Sequence, residues 1–350
     1  MDEARLQTSK PCCDAQVEVR ANSCTTVGKT HPRLTRRKLG CNCEGVYTSA
    51  SVRGAARVPC WPDHLARLTK GWRRLQRTED QANDDIEKQV LDAAREALRG
   101  SERIHEGPME GKKMLCVCVY KLEKEATTAV EAIWTVVPGP AGQEPSPACI
   151  LGRKRTIPTV KYTDWVRERE ILKTIKPPDC GEILLADERD GSILEGMVSN
   201  FYALVQQGKT VVLQTAPVES LALPGISRKC VLQACQELGI PVQETPPKVG
   251  ERGSWLGAFV TNSVRGISPI SGFTWYESPE NPGHLLTCPS EEERAAQGIQ
   301  LLPEDGLGAL GRIKKHDFAT CHPYIARIKE AVDCIETQSE VDLLVDPDTE

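Results

Sequence analysis

From Glu182 to Leu238 the chain reads as two hairpins feeding one helix, and no other stretch narrows its fold as far. Glu182–Ala186 and Ser192–Leu194 are apolar arms around Asp190-Gly191, a tight-turn pair. Phe201–Val205 and Thr210–Leu213 repeat the pattern around Gln207-Gly208. The helix, Ile226–Leu238, carries Val231, Leu232, Cys235 and Leu238 on one face and stops at Gly239. In this frame Glu195 lies on a strand and Gly225-Ile226-Ser227 opens the helix. A helix mouth leaves backbone N–H groups unpaired and carries partial positive charge, which favours phosphate. A strand carboxylate can hold a protonated ring nitrogen. The two together suit a ligand that has both groups.

The rest of the chain alternates in the same way. Gly45–Val58 reads as two short strands around Arg53-Gly54. Trp61-Pro62-Asp63 starts a helix with Leu65, Leu68, Trp72 and Leu75 as its stripe. A second helix is predicted over Asp84–Leu98, and strands over Lys113–Leu122 and Ala129–Val137. Pro138–Pro147 is a Pro- and Gly-rich loop. Thr163–Lys176 is predicted helical and ends at Pro177-Pro178, and Trp255–Val260 and Gly266–Ile270 are further strands. These elements give an α/β (α+β) fold in two domains. The expected division is a loosely ordered segment 1–40, a small α/β domain 41–152, a larger domain 153–337 and an acidic tail 338–350.

Net charge is −5, so no basic excess points to nucleic acid or an anionic membrane surface, and no apolar run approaches the ~20 residues that span a bilayer. The 15 cysteines include neighbours such as Cys12-Cys13, Cys41-Asn42-Cys43 and Cys116-Val117-Cys118, a spacing unlike a disulfide framework. Cys116 and Cys118 read as small buried apolar residues on a strand. Cys41-x-Cys43, with His31 upstream, lacks the second pair a zinc site needs, so no metal is expected. Without a Cys-x-x-Cys, a thiol redox function is unsupported. The odd cysteine count and acidic Met1-Asp2-Glu3 start favour a reducing compartment, the cytoplasm, with a plastid as the alternative.

Candidate ligand contacts gather around Glu195 and Gly225. Ser227 adds a hydroxyl, Val260-Thr261-Asn262-Ser263 ends a strand in small donors, and Arg67 offers the bidentate charge that phosphate favours. Taken singly, these read as a helix start, a loop and a surface arginine. Arg53 and Arg265 are candidate carboxylate anchors on the same weak terms.

Together the residues resemble the class IV pyridoxal-phosphate aminotransferases, a family that includes branched-chain aminotransferases, D-amino-acid aminotransferases and aminodeoxychorismate lyase. The family signature is matched by Glu195, Asn200, Phe201 and Tyr202, then Leu213-Gln214-Thr215, then Leu223-Pro224-Gly225-Ile226-Ser227-Arg228. Met197 departs from it, standing where a small residue is usual. Gly45-Val46-Tyr47, His64-Leu65-Ala66-Arg67-Leu68 and Thr261-Asn262-Ser263 match further segments. Lys38-Leu39-Gly40-Cys41-Asn42-Cys43 replaces the usual approach to the first of them. Lys161, in Lys161-Tyr162-Thr163-Asp164-Trp165-Val166-Arg167, fits the family's Schiff-base lysine and looks like a plant-type subgroup.

The resemblance implies a two-domain fold with pyridoxal 5′-phosphate in the interdomain cleft, and a homodimer. It implies Lys161, Glu195 and Tyr47 as catalytic residues: Lys161 forming the aldimine and moving the proton, Glu195 on the pyridine nitrogen, Tyr47 near the reacting face. Cofactor contacts would come from Arg67, Lys161, Glu195, Ser199, Asn200, Leu223, Gly225, Ile226, Ser227, Asn262 and Ser263. The implied reaction is amino transfer between a branched-chain or D-amino acid and a 2-oxo acid. Two alternatives are an aminodeoxychorismate-lyase-type reaction and a non-catalytic scaffold on the same fold.

Overall fold

The alternating pattern resolves into two sheets in the computed structural model, which describes residues 17–20, 23–25, 44–77, 84–102, 111–121, 128–137, 145–219, 221–281, 283–289, 291–297, 311–319 and 321–345. The first half of the chain holds β1 (Val17–Arg20), β2 (Ser23–Thr25), β3 (Gly45–Ser51), β4 (Arg57–Pro59), helices α1 (Trp61–Gln76) and α2 (Asp84–Glu102), β5 (Lys112–Lys121) and β6 (Thr128–Val137). Five of these strands form an antiparallel sheet in the order β2-β1-β6-β5-β3.

Period-two alternation gives that sheet two unlike faces. Leu115, Val117 and Val119 of β5 and Val46 of β3 pack with Trp72 of α1 and Val90 and Leu98 of α2 in the main core. Burying each such side chain contributes about 1.5–3 kcal/mol. The other face presents Tyr47, Met114, Cys116, Cys118 and Tyr120. Cys116 and Cys118 are both buried there, as the strand reading predicts.

The second half holds β7 (Ser146–Arg153), α3 (Asp164–Glu168), α4 (Glu170–Ile175), β8 (Glu182–Asp187), β9 (Ser192–Gly196), β10 (Asn200–Gln207), β11 (Thr210–Gln214), α5 (Ile226–Glu237), β12 (Val242–Gln243), β13 (Trp255–Asn262) and β14 (Gly266–Glu277). After these come β15 (Leu285–Leu286), α6 (Glu291–Gln297), β16 (Arg312–Asp317), α7 (Pro323–Gln338) and β17 (Glu340–Asp342). A mixed 10-stranded sheet runs β12-β11-β10-β13-β14-β7-β8-β9, with β15 and β16 also on β14. β9 closes this order and β10 lies near its far end, yet only Met197-Val198-Ser199 separates them in sequence. The sheet therefore curls to bring them together, and Gly196 N–H donates to the Ser199 carbonyl at 2.7 Å. This closure sets Glu195 beside Asn200.

Both predicted hairpins form, with Gly191 (φ 70) and Gly208 (φ 58) in the left-handed region at their turns. The segment expected to be loose contributes β1 and β2, which pair with each other and with β6. β7 runs through the expected boundary at residue 152 and pairs with β8 and β14 in the larger sheet. The helix predicted over Thr163–Lys176 breaks at Arg169 (φ −84, ψ 0) into α3 and α4. The acidic tail begins packed: β17 pairs with β4, and Leu343 is buried in the main core. Residues 138–144, His31 and the Lys38–Cys43 segment lie outside the described residues.

Candidate active site

The lysine segment is stitched to the start of β3. Tyr47 N–H donates to the Lys161 carbonyl and Thr163 N–H to that of Gly45, both at 2.9 Å, and Val46 bridges Tyr162. This sets the Tyr47 ring beneath the lysine, whose Nζ lies 4.7 Å from the ring centroid. Burial lowers the Lys161 pKa, and the neighbouring charges of Arg67, Arg169 and Arg155 lower it further against an opposing pull from Tyr47. The Tyr47 hydroxyl is raised by burial, but Lys161, Arg169 and Arg155 outweigh that, so its net shift is downward.

Glu195 lies across a cavity of about 280 Å³ from this pair. Its carboxylate is tied on both oxygens. Arg155 donates from Nε to Oε1 at 2.6 Å and from Nη2 to Oε2 at 3.3 Å, and Leu223 N–H donates to Oε2 at 3.0 Å. Both side chains of the ion pair are 4% exposed. Burial pushes the Glu195 carboxyl above the usual range, against the downward pull of Arg155 and the Leu223 N–H. Arg155 also donates to the carbonyls of Val160 and Pro158, so it braces the loop that leads into Lys161. Its guanidinium lies 5.6 Å over the Trp165 ring, and the Trp165 indole N–H donates to the Met197 carbonyl at 2.9 Å. Met197 lines the cavity next to Glu195.

The third wall is the mouth of α5. Gly225 is its N-cap and makes no side-chain cap, leaving the first-turn N–H groups open toward the cavity. A Cβ on Gly225 would overlap Asn200 Oδ1, and Asn200 Nδ2 donates to the Leu223 carbonyl at 2.9 Å. Glycine is thus required here by Asn200 packing. Arg67 faces the mouth from α1, donating to the Thr48 hydroxyl at 2.9 Å and more weakly to the Pro224 carbonyl at 3.4 Å. Its Nε is buried without a partner. Burial lowers its pKa to about 10, which leaves it charged at neutral pH.

Thr48 relays that contact. Its hydroxyl accepts from Arg67 and lies 2.8 Å from His64 Nδ1. A Thr48 proton donated to His64 requires a neutral imidazole with Nδ1 as acceptor. Burial, then the charges of Arg67 and Lys161, holds the His64 pKa well below its ordinary value. The unfolded chain therefore binds a proton below pH ~6.5 that the folded chain refuses. Stability falls as pH drops through that region, by about 1.4 kcal/mol per pH unit for this group. Urea midpoints of wild type and His64→Gln between pH 7.5 and 5.5 check this: the His64-dependent part of the slope disappears in the variant.

Every catalytic and cofactor-contact residue implied by the resemblance lines this one cavity, though several side chains are engaged elsewhere. The Ser199 hydroxyl donates to Glu182 at 2.7 Å, and Ser227 reaches Glu336 at 3.4 Å. Asn262 Oδ1 accepts from the backbone of Val264 and Arg265, fastening its own turn. At the α5 mouth the Ser227 backbone N–H remains an available donor. Arg53 is bound to Glu336, Glu340 and Thr337 away from the cavity, so it is not a free carboxylate anchor. Arg265 is exposed at the rim. Sequence reading missed Arg155, Trp165 and Arg169. Nothing in Arg153-Lys154-Arg155 marks which basic residue turns inward, whereas Trp165 and Arg169 stand at i, i+4 spacing.

An amino-transferase class IV family model matches residues 45–273. The chain belongs to this family. A D-alanine aminotransferase from Bacillus licheniformis is 35% identical over 83 residues, which cover 24% of this chain and 28% of that protein. The match thus spans little more than a quarter of that curated relative. A hypothetical aminotransferase from Mycobacterium tuberculosis, solved in a PLP-bound form, superposes with a TM-score of 0.61 at 15% identity, covering 92% of this chain and 99% of that one. 4-Amino-4-deoxychorismate lyase from Pseudomonas aeruginosa gives 0.50 at 20% identity, covering 73% and 88%. These likenesses establish the mixed α/β fold, and membership in the family implies pyridoxal phosphate. Among the described residues no helix is long and apolar enough to cross a membrane.

Proposed function

We propose that this class IV protein is a pyridoxal-phosphate-dependent aminotransferase that moves an amino group between an amino acid and a 2-oxo acid. The observation that carries the reading is the shared cavity of Lys161, the Glu195–Arg155 pair, and the α5 mouth with Arg67. The donor set fits the cofactor. Arg67 has a buried Nε without a partner beside open helix N–H groups, a chemistry matched to phosphate. Oε1 of Glu195 keeps a lone pair for a ring N–H, since a carboxylate offers about four acceptor positions.

Bound pyridoxal phosphate supplies an aldehyde that condenses with amines and a ring that draws electrons from the substrate α-carbon. Arg67, with backbone N–H groups of Ile226 and Ser227, holds the phosphate. Glu195 accepts from the pyridine nitrogen and keeps it protonated, while Arg155 holds the carboxylate in place. Lys161 attaches the cofactor. Burial favours its neutral amine, the form that can carry a proton between the substrate α-carbon and C4′. Tyr47 orients that amine from below.

The apolar wall of Met114, Val137, Met197 and Val264 favours a substrate with an apolar side chain. The similarity to a D-alanine aminotransferase places D-amino acids beside branched-chain L-amino acids in the first screen. The test incubates the cofactor-loaded protein with each amino acid and a 2-oxo acid and measures both products. Equimolar exchange of amino group and oxo acid is the expected result. Pyruvate release from aminodeoxychorismate without an acceptor would establish the lyase reading instead. Absence of cofactor uptake would leave a scaffold.

A further inference from the structure

We infer that Arg169 anchors the substrate's α-carboxylate, an assignment that rests on the amino-transfer reading above. A carboxylate inside a cavity calls for a full positive charge with paired donors, which a guanidinium provides. Five cations line the cavity: Arg67, Arg155, Lys161, Arg169 and Arg265. Arg67 serves the helix mouth, Arg155 is held by Glu195, and Lys161 must give up its charge to react. Arg265 lies on the exposed rim.

Arg169 remains. It follows Trp165 by one helical turn, at the break between α3 and α4, so both side chains turn to the cavity. Its sequence neighbours do not neutralise it. Glu168 accepts the Tyr162 hydroxyl at 2.8 Å, and Glu170 pairs with Lys173. Among the described residues no carboxylate pairs with Arg169, and its Nε is buried without a hydrogen-bond partner. Arg169 is half-buried, and a guanidinium withdrawn from water at its Nε without an acceptor is favoured by an anion that meets it. Its field reaches Tyr47, Cys116 and Lys161, lowering the pKa of each. Arg169 therefore acts within the space where the reacting amine works. An α-amino acid carries amine and carboxylate on one carbon, so its carboxylate anchor must share that space.

The test uses the cofactor-loaded protein and its Arg169→Gln and Arg169→Lys variants. Calorimetry gives the dissociation constants of 4-methylpentanoate and of its uncharged amide, and steady-state kinetics give KM and kcat for several amino acids. In Arg169→Gln the carboxylate is expected to bind about 10–100-fold more weakly, the loss of a charged hydrogen bond, while the amide is unaffected. KM should rise by the same factor for every amino acid, with kcat less affected, and Arg169→Lys should recover part of the loss. Unchanged carboxylate affinity and KM in a folded, cofactor-loaded Arg169→Gln would overturn the assignment. So would a loss confined to dicarboxylic substrates. If Arg169→Gln does not fold, unchanged values in Arg169→Leu would overturn it equally. A wild-type chain that takes up no cofactor defeats the underlying reading, whereas uptake with unchanged affinity defeats the Arg169 assignment alone.

Discussion

Lys161→Ala lowers amino-transfer turnover by about 10²–10⁴-fold or more, the scale of a lost general acid–base group, and leaves the protein folded. The lysine side chain lies over Tyr47 and is disfavoured as a cation by burial and by three nearby arginines. Removing it therefore relieves a buried charge, and its backbone bond to Tyr47 survives the substitution. The thermal midpoint should match or exceed that of wild type. Stopped-flow absorbance with a reactive amino acid, beside a melting curve, checks both halves. A variant that retains full turnover, or that unfolds, would contradict the role given to Lys161.

Arg155→Met is the second large effect, and it falls on stability. The Arg155–Glu195 pair is buried on both sides, and breaking such a pair by removing one partner costs about 3–5 kcal/mol. Two further bonds, to the carbonyls of Val160 and Pro158, go with it and free the loop that carries Lys161. Glu195 keeps only the Leu223 N–H, so its carboxyl gains a proton more readily. A raised folded-state pKa means that stability is lost as pH climbs from the ordinary carboxylate range through the folded value. Urea denaturation of Arg155→Met between pH 5 and 8 should show lower stability at the higher pH. Arg155→Met with Glu195→Leu should recover much of the loss, because an apolar pair leaves no buried charge unmatched.

The elements that build the site were legible because their signals are local. Asp190-Gly191 and Gln207-Gly208 announce their hairpins, and Gly239 stops α5 where the apolar stripe ends. The family resemblance supplied what no periodicity could: that Lys161, Glu195 and Arg67, far apart in sequence, meet in one cavity. Side-chain direction was less legible. Gly225 was legible as the opening of the helix mouth, but not that Asn200 fills the space where its Cβ would stand. Ser199 and Asn262 looked like ligand donors and are used by Glu182 and by a turn. β1 and β2 were missed because four- and three-residue strands at a sheet edge draw their stability from β6 rather than from their own pattern. α7 went unread although Ile325, Ile328, Val332 and Ile335 stand at helical spacing, and these residues pack in the core shared with α5.

The central claim is that the Lys161 amine holds the cofactor. The most direct measurement is borohydride reduction of the protein loaded with pyridoxal phosphate, followed by proteolysis and mass spectrometry. The account predicts a single stable pyridoxyl adduct on the peptide containing Lys161, absent from Lys161→Ala. An adduct spread over surface lysines, or none at all, would contradict it.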